Sequence, residues 1–396
     1  MDFFHERNLQ LRQQVPDQFF RHLYFTIDLS NRCTFIYGTD GTGKTTLLLQ
    51  MAEYYDEIPP DLSLFISADT MWFHTESLFE IAELFYLNGG RYLLIDDLHK
   101  YPSRESHISR IVDELPDLKL IATAAAPLAV PETLASLVTS YHLPSLSFRE
   151  YLQFRESISI EPKKLGEIVS FHREFSKGIS GLFQPIPPFR RYMAGGTLMA
   201  PSDREHRFPG TMLGEHRVNR FLESALPAIE GIDYRSVTKI KDLLAIIIRE
   251  GPFKPNISDL ARLLNVSRDS VYSWLSLLEN TGLIHRIWLN RPGNTKHRKP
   301  DLILPGEPSM LRFAGNRPDT NATQLTFLIN QLHSAGFRCS LHKTGAVYLN
   351  GMTIATGDKD HPIPEVTDGS HPLVAADNLE VGTDNRIPLW MFGLLY

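Results

Sequence analysis

The chain reads as an α/β protein: a doubly wound parallel sheet comes first, a helix-turn-helix segment follows, and a small α/β region closes it. Three observations predict the sheet. A glycine-rich loop, GTDGTGKTT at Gly38–Thr46, sits between an apolar run and a helical stretch. A second apolar run, Tyr92 to Ile95, ends in the paired carboxylates Asp96-Asp97. Strand-like and helix-like segments alternate around both, the pattern of parallel strands with helices on each face.

Cys33-Thr34-Phe35-Ile36-Tyr37 is a short, almost unbroken apolar run, as expected of a strand buried on both faces. The loop after it matches G-x-x-x-x-G-K-[ST], the P-loop or Walker A pattern. Gly38, Gly41 and Gly43 allow the backbone to curl so that successive N–H groups point inward at phosphate oxygens. Thr39, Asp40, Thr42 and Thr46 complete the lining. Lys44 opens a helix carrying Leu47-Leu48-Leu49, and the positive end of that helix faces the same place. Its ammonium is placed to reach the β- and γ-phosphates of ATP, and the Thr45 hydroxyl to bind Mg²⁺.

The next elements follow in order. Leu62 to Ser67 reads as a strand, and Ser77 to Tyr86 as a helix with Leu78, Ile81, Ala82 and Phe85 on one face, stopped by Gly89-Gly90. The Tyr92 run reads as a parallel neighbour of the first strand. Asp96 at its end is a second Mg²⁺ ligand through water, and Asp97 a base for the attacking water, although it is one methylene shorter than a Glu. A helix through Ile108, Ile111 and Val112 leads to a strand at Leu118–Thr123, whose last residue stands where a polar sensor meets the γ-phosphate.

These residues carry a resemblance. The stretches LYFTIDLSNRCTFIYGTDGTGKTTLLLQ, LFISAD, GGRYLLIDDLHKYP, LPSLSFREYL (Leu143–Leu152) and the ending IPLWMFGLLY resemble bacterial and archaeal AAA-type P-loop ATPases with a fused winged helix and a nuclease-like C-terminal domain of unknown function. The resemblance implies an ATPase domain at 1–152, a helical lid or linker at 153–235, a winged helix at 236–316 and a restriction-endonuclease-like α/β domain at 317–396. It also exposes departures. Asp96-Asp97 stands for Asp-Glu, Thr123-Ala124-Ala125-Ala126 for Thr-Gly-Ser-Ser, and Ser136 and Leu137 for a pair of arginines. The nucleotide-binding parts are intact while three hydrolysis-related positions are weakened, and loss of a stabilising arginine alone slows phosphoryl transfer by orders of magnitude.

Composition bounds the rest. The 396 residues suffice for two or three domains, and 42% hydrophobic with 22% charged residues excludes a wholly disordered chain. Two cysteines, Cys33 and Cys339, lack metal-ligand spacing and suit a reducing cytoplasm. No apolar run approaches the roughly twenty residues of a membrane helix, and MDFFHERN is not a secretory signal. His5, His99, His142, His285 and His342 are scattered, without an i, i+4 partner and third ligand. The net charge of −6 gives no general attraction to nucleic acid.

Residues 251–300 differ, with eight basic against three acidic side chains. There Ser258 is placed to cap a helix from Asp259 to Leu264, Asn265-Val266-Ser267 to form a turn, and Arg268–Asn280 a second helix ended by Thr281-Gly282 before a strand from Leu283 to Trp288. A DNA-binding reading sets Arg262, Arg268, Ser270, Tyr272 and Ser273 near a groove, and a protein-docking reading leaves the same face solvated. Between the parts, Leu152–Gly178 reads as helix, Phe183–Pro188 as a proline break, Gly195-Gly196 as a hinge and Ala200–His216 as loop. At the end, a helix at Thr323–Ala335 carries Leu325 where nuclease-like relatives hold a Glu. Ala346 and Ala355 replace two further carboxylates, which leaves Lys359 without metal ligands and implies no nuclease activity. Asp358, Asp360 and Glu365 read as solvent-facing. The function expected is Mg²⁺-dependent ATP binding with weak hydrolysis, in a cytoplasmic protein that meets DNA, a protein partner or its own copies, and no membrane. The alternative is an interaction protein that binds ATP as a structural or switching ligand and does not turn it over.

Overall fold

Five short strands form the centre of the first half: β1 (Cys33–Tyr37), β2 (Ser63–Ser67), β3 (Tyr92–Asp96) and β4 (Lys119–Ala124), each a run of side chains buried on both faces or nearly so, and the partly buried β5 (Val138–His142). All pair in parallel, in the order β2-β3-β4-β1-β5. The computed structural model describes residues 2–195, 197, 210–290, 299–313, 315 and 318–396. They divide into two compact units, residues 1–145 with 218–237, and residues 146–217 with 238–396.

In the first unit α1 (Asp2–Arg12) and α2 (His22–Thr26) precede the sheet, and the crossover helices are α3 (Lys44–Tyr54), α4 (Leu78–Leu87) and α5 (Arg104–Glu114). Side chains alternate along β1. Cys33 and Phe35 enter the core with Ile81, Phe85, Ile108 and Ile111 of α4 and α5, and Ile36 enters the core with Leu47, Leu48 and Met51 of α3. The strands therefore carry helices on both faces, which is the α/β fold of the P-loop NTPases. One expectation is corrected. β3 is not the neighbour of β1, because β4 lies between them, with Phe35 opposite Ala122 on one side and Leu94 opposite Ile121 on the other. This insertion brings Thr123 between the loop and Asp96.

The second unit joins three helices, Phe148–Glu156, Leu165–Ser180 and Ile186–Gly195, to a helical pair and a mixed sheet. Pro187 and Pro188 sit in the first turn of the third helix, where a missing N–H costs nothing, so the expected proline break is a helix start. The expected hinge at Gly195-Gly196 is not where the units divide; Gly195 has φ 154° and Gly196 lies outside the described residues. Of the expected loop Ala200–His216, residues 200–209 lie outside the described residues, and Gly210–Arg220 is helix.

Helix Ile257–Leu264 is capped by Asn256, whose side chain accepts from the Ser258 and Asp259 N–H groups, and not by Ser258. Helix Arg268–Asn280 follows, capped by Ser267. The antiparallel pair β6 (Ile284–Ile287) and β7 (Leu302–Pro305) comes next. The closing sheet runs β12-β11-β10-β9-β8 from Arg386–Pro388 through His371–Asp377, Met352–Asp358 and Val347–Leu349 to Ser340–Leu341. Helix Thr320–Ser334 and the final apolar run share its core through Phe327, Leu328, Trp390 and Phe392.

Helix Phe148–Glu156 opens on a complete capping box. Ser147 N–H donates to the Glu150 carboxylate at 3.0 Å, and the Ser147 hydroxyl accepts from the Glu150 N–H at 3.1 Å. That hydroxyl also donates to the Tyr396 carbonyl oxygen at 2.8 Å, beside the Arg149 guanidinium on the same oxygen. Ser147 is fully buried, so loss of its hydroxyl strands the Glu150 N–H and leaves the Tyr396 oxygen to Arg149 alone. Ser147→Ala is expected to destabilise the second unit by about 1–2 kcal/mol, read as a lower denaturant midpoint of its transition with an unchanged slope.

Candidate functional site

The C-terminal ends of β1, β3 and β4 converge on the glycine-rich loop. The loop is tightly packed. A Cβ on Gly38 would meet the Leu143 carbonyl oxygen, past the end of β5, at 2.3 Å. Gly43 has φ 90° and ends the loop in the left-handed region as α3 begins. Arg21, itself buried, donates to the Thr42 carbonyl and, at 2.8 Å, to that of Pro144, so the loop and the segment after β5 share one clamp. Thr42 donates its hydroxyl to the Thr39 carbonyl at 3.0 Å.

Lys44 is not exposed, as an open loop would suggest, but 6% accessible. Its ammonium donates to the carbonyls of Gly38 at 2.7 Å and Thr39 at 3.1 Å. Burial lowers its pKa, and the charges of Asp40, Asp97 and Asp96 oppose that shift. The ammonium is thus held by two carbonyls of its own loop.

Asp96 is buried at the end of β3 and bonded on both oxygens. The Thr45 hydroxyl donates to Oδ2 at 2.8 Å, and the Thr123 hydroxyl to Oδ1 at 2.5 Å. Thr123 in turn accepts from the Asp97 N–H at 3.0 Å. Burial and then Asp97 raise the pKa of Asp96, while the two hydroxyls and Lys44 pull it down. Thr45, Asp96 and Thr123 are therefore one hydrogen-bonded unit joining α3, β3 and β4.

Asp97 sits in the left-handed region at φ 55°, and its carboxylate is engaged. Lys100 donates to it at 2.8 Å and to Asp69 at 2.7 Å. Burial works to raise the Asp97 pKa, but the Lys100 hydrogen bond and charge prevail and hold it below the usual carboxylate range. His99, in the same turn, is buried, with Nδ1 lacking a hydrogen-bond partner, and burial pushes its pKa down to about 4. Ser136 is exposed on the 3-10 turn before β5, and neither it nor Leu137 brings a cation to the loop.

A cation arrives from elsewhere. Arg220, at the end of helix Gly210–Arg220, pairs with Asp40 of the loop at 3.3 Å. Its position far along the chain gave no local signal. Lys100 did carry one, since an acid and a base three residues apart meet in a helical turn.

Hard oxygen donors from a hydroxyl and a carboxylate, already in contact through Thr45 and Asp96, suit Mg²⁺ bound partly by phosphate. No described helix is long and apolar enough to cross a membrane. In the second unit, Arg262 is paired with Asp259 at 2.6 Å and Arg286 with Glu279, while Arg268 is exposed and Ser270 and Tyr272 are half-buried. Arg291, Lys296 and Arg298 lie outside the described residues, as does Arg317. Ala346 is buried, Leu325 and Ala355 are partly so, and Asp358, Lys359, Asp360 and Glu365 are exposed.

Residues 30–152 match the family model of an AAA domain. Among solved structures, the chain is similar to PCH-2 of C. elegans at 13% identity, over 69% of this chain and 67% of that one, with a TM-score of 0.24. It is also similar to katanin in a structure of its self-assembly, at 16% identity over 48% and 70% with a TM-score of 0.25. A third likeness is to the E. coli MS115-1 HORMA:CdnC:Trip13 complex, at 13% identity over 38% and 61% with a TM-score of 0.25. Likenesses this remote say nothing of what the chain binds. No curated protein matches it.

The Asp97–Lys100 pair has a pH signature. A carboxylate whose folded pKa is depressed contributes stability that is present above its unfolded value, about 3.9, and lost as pH falls through the folded value. Lys100, whose hydrogen bonds to Asp69 and Asp97 outweigh burial and raise its pKa, keeps its contribution up to alkaline pH. Lys100→Met is expected to cost about 1–2 kcal/mol near pH 7, with the difference in melting temperature from wild type closing as the pH drops below about 4.

Proposed function

We propose that the protein binds ATP with Mg²⁺ in the Gly38–Thr46 loop and hydrolyses it weakly, as an AAA-type ATPase whose nucleotide state governs an interaction module. The observation that supports this best is the hydrogen-bonded unit of Thr45, Asp96 and Thr123 beside a buried Lys44. Bound Mg²⁺ neutralises phosphate charge and would be held by Thr45 and, directly or through water, Asp96. The chain's own residues do the rest. Loop N–H groups and Lys44 take the phosphates, Lys44 leaving the carbonyls of Gly38 and Thr39. Thr123 holds Asp96 in place and, at the end of β4, would face the γ-phosphate.

Asp97 is the residue for a general base, and Lys100 restrains it. A carboxylate held by an ammonium is a weaker base and is less free to turn toward water. This supports slow turnover and keeps the second reading, ATP as a switching ligand without hydrolysis, in view. Measured turnover with and without double-stranded DNA separates the two.

Lys44→Ala is expected to abolish the rise in melting temperature that Mg-ATP gives the wild type, since only a ligand of the folded state stabilises it. An equal rise in both proteins would remove Lys44 from the site.

For the module, the helices Ile257–Leu264 and Arg268–Asn280 with β6 and β7 support a winged helix, whose partner is DNA or a protein. The sheet of β8 to β12 with helix Thr320–Ser334 supports a nuclease-like domain without nuclease ligands. DNA binding here would rest on phosphate contacts, so log K falls with log salt by about 0.9 per phosphate neutralised. With Arg262 engaged by Asp259, Arg268→Ala is expected to flatten that slope by about one unit. Binding independent of salt, or none at low salt, would make the segment a protein-docking surface instead.

A further inference from the structure

Asp40 stands at an awkward place. It is the third residue of the glycine loop, and its charge, ahead of those of Asp97 and Asp96, offsets part of the effect of burial on Lys44. A carboxylate so near the ammonium that receives phosphate repels the same ligand. At an effective dielectric near 20, like charges about 5 Å apart oppose each other by several RT.

The fold answers this charge with Arg220, whose Nε lies 3.3 Å from Asp40 Oδ2. Arg220 does not reach the loop by chance of a floppy surface chain. Residues 218–237 belong to the same compact unit as the loop although they come much later in sequence. Arg220 is followed at once by a π-helical turn, Phe221–Ala225, whose Phe221 and Leu222 are buried. Helix Leu226–Glu230 then packs on the turn Leu98–Lys100, directly after Asp96-Asp97. Arg104 fastens it by donating to the carbonyls of Ala228 at 3.2 Å and Ile229 at 3.4 Å. Both ends of this segment thus touch the phosphate site, one through Asp40 and the other beside Asp97.

We infer that Arg220 is a positioning residue of the phosphate site: by neutralising Asp40 it makes the loop receptive to a polyphosphate, so that nucleotide affinity depends on the seating of residues 218–237. The inference rests on the nucleotide reading of the loop. The ion pair is exposed, with Arg220 61% accessible, so it adds little to folding stability. Its effect is on the field a multiply charged ligand meets. Coupling is reciprocal, so nucleotide in the loop favours the seated segment by the same factor that the seated segment favours nucleotide.

A double-mutant cycle on the full chain tests this, with ATP and inorganic tripolyphosphate titrated separately. Arg220→Ala is expected to weaken both ligands alike, by roughly 5- to 150-fold, the range of couplings between sites. Arg220→Lys keeps most of the affinity, because charge is what matters. Asp40→Asn tightens binding, and Arg220→Ala with Asp40→Asn returns to within about threefold of wild type. An unchanged melting temperature without ligand shows that the fold is intact in each variant. If Arg220→Ala binds as well as wild type, or if adding Asp40→Asn does not restore affinity, the inference is overturned; the second result would mean that Arg220 touches the ligand itself. If wild type binds neither ligand and Lys44→Ala is indistinguishable from it, the nucleotide reading fails and the inference with it. Binding that Lys44→Ala removes while the cycle is additive overturns the role of Arg220 alone.

Discussion

A buried carboxylate must be satisfied or neutralised, and Asp96 is the one on which the site depends. It is 5% accessible and takes one hydroxyl on each oxygen, from Thr45 at the start of α3 and from Thr123 on β4. Those bonds keep the anion tolerable in place, and they also bind three elements together at the sheet's C-terminal edge. The strand order makes this possible. Only with β4 between β1 and β3 can Thr123 stand beside Asp96 while the loop that leads to Thr45 leaves from the next strand.

The other charges of the site are also met from within. Lys44 rests on two loop carbonyls, Asp97 on Lys100, and Asp40 on Arg220. On the proposed reading a polyphosphate would enter by exchanging partners, not by filling a bare charge. This arrangement supports the proposal of a site that binds ATP and turns it over slowly. Releasing Lys44 is repaid by phosphate, whereas nothing in binding obliges Lys100 to release Asp97.

What could be read in the sequence is what is local. The loop, the strands β1 to β4 and the helices between them are written in contiguous residues, and so are the turn Asn265–Ser267 and the helix after it. β5 was not legible, because Val138–His142 is half polar and only partly buried at the sheet edge. Ser258 and Asn256 are both good caps, and only the backbone path chooses Asn256. The prolines at 187 and 188 signal a break or a helix start equally well, and the chain uses the second. The burial of Lys44, the reach of Lys100 to Asp69, and the arrival of Arg220 are tertiary facts with no periodicity to announce them, whereas the spacing of Asp97 and Lys100 is local.

The most direct test of the account is the metal dependence of ATP affinity in wild type and Thr45→Ala, each measured by equilibrium titration with Mg²⁺ and with EDTA. The account predicts that Mg²⁺ tightens ATP binding in wild type and that Thr45→Ala loses this gain while keeping its metal-free affinity, because Thr45 serves the ion and Lys44 with the loop N–H groups serves the phosphates. Equal metal dependence in the two proteins, or ATP affinity absent from wild type altogether, would contradict it.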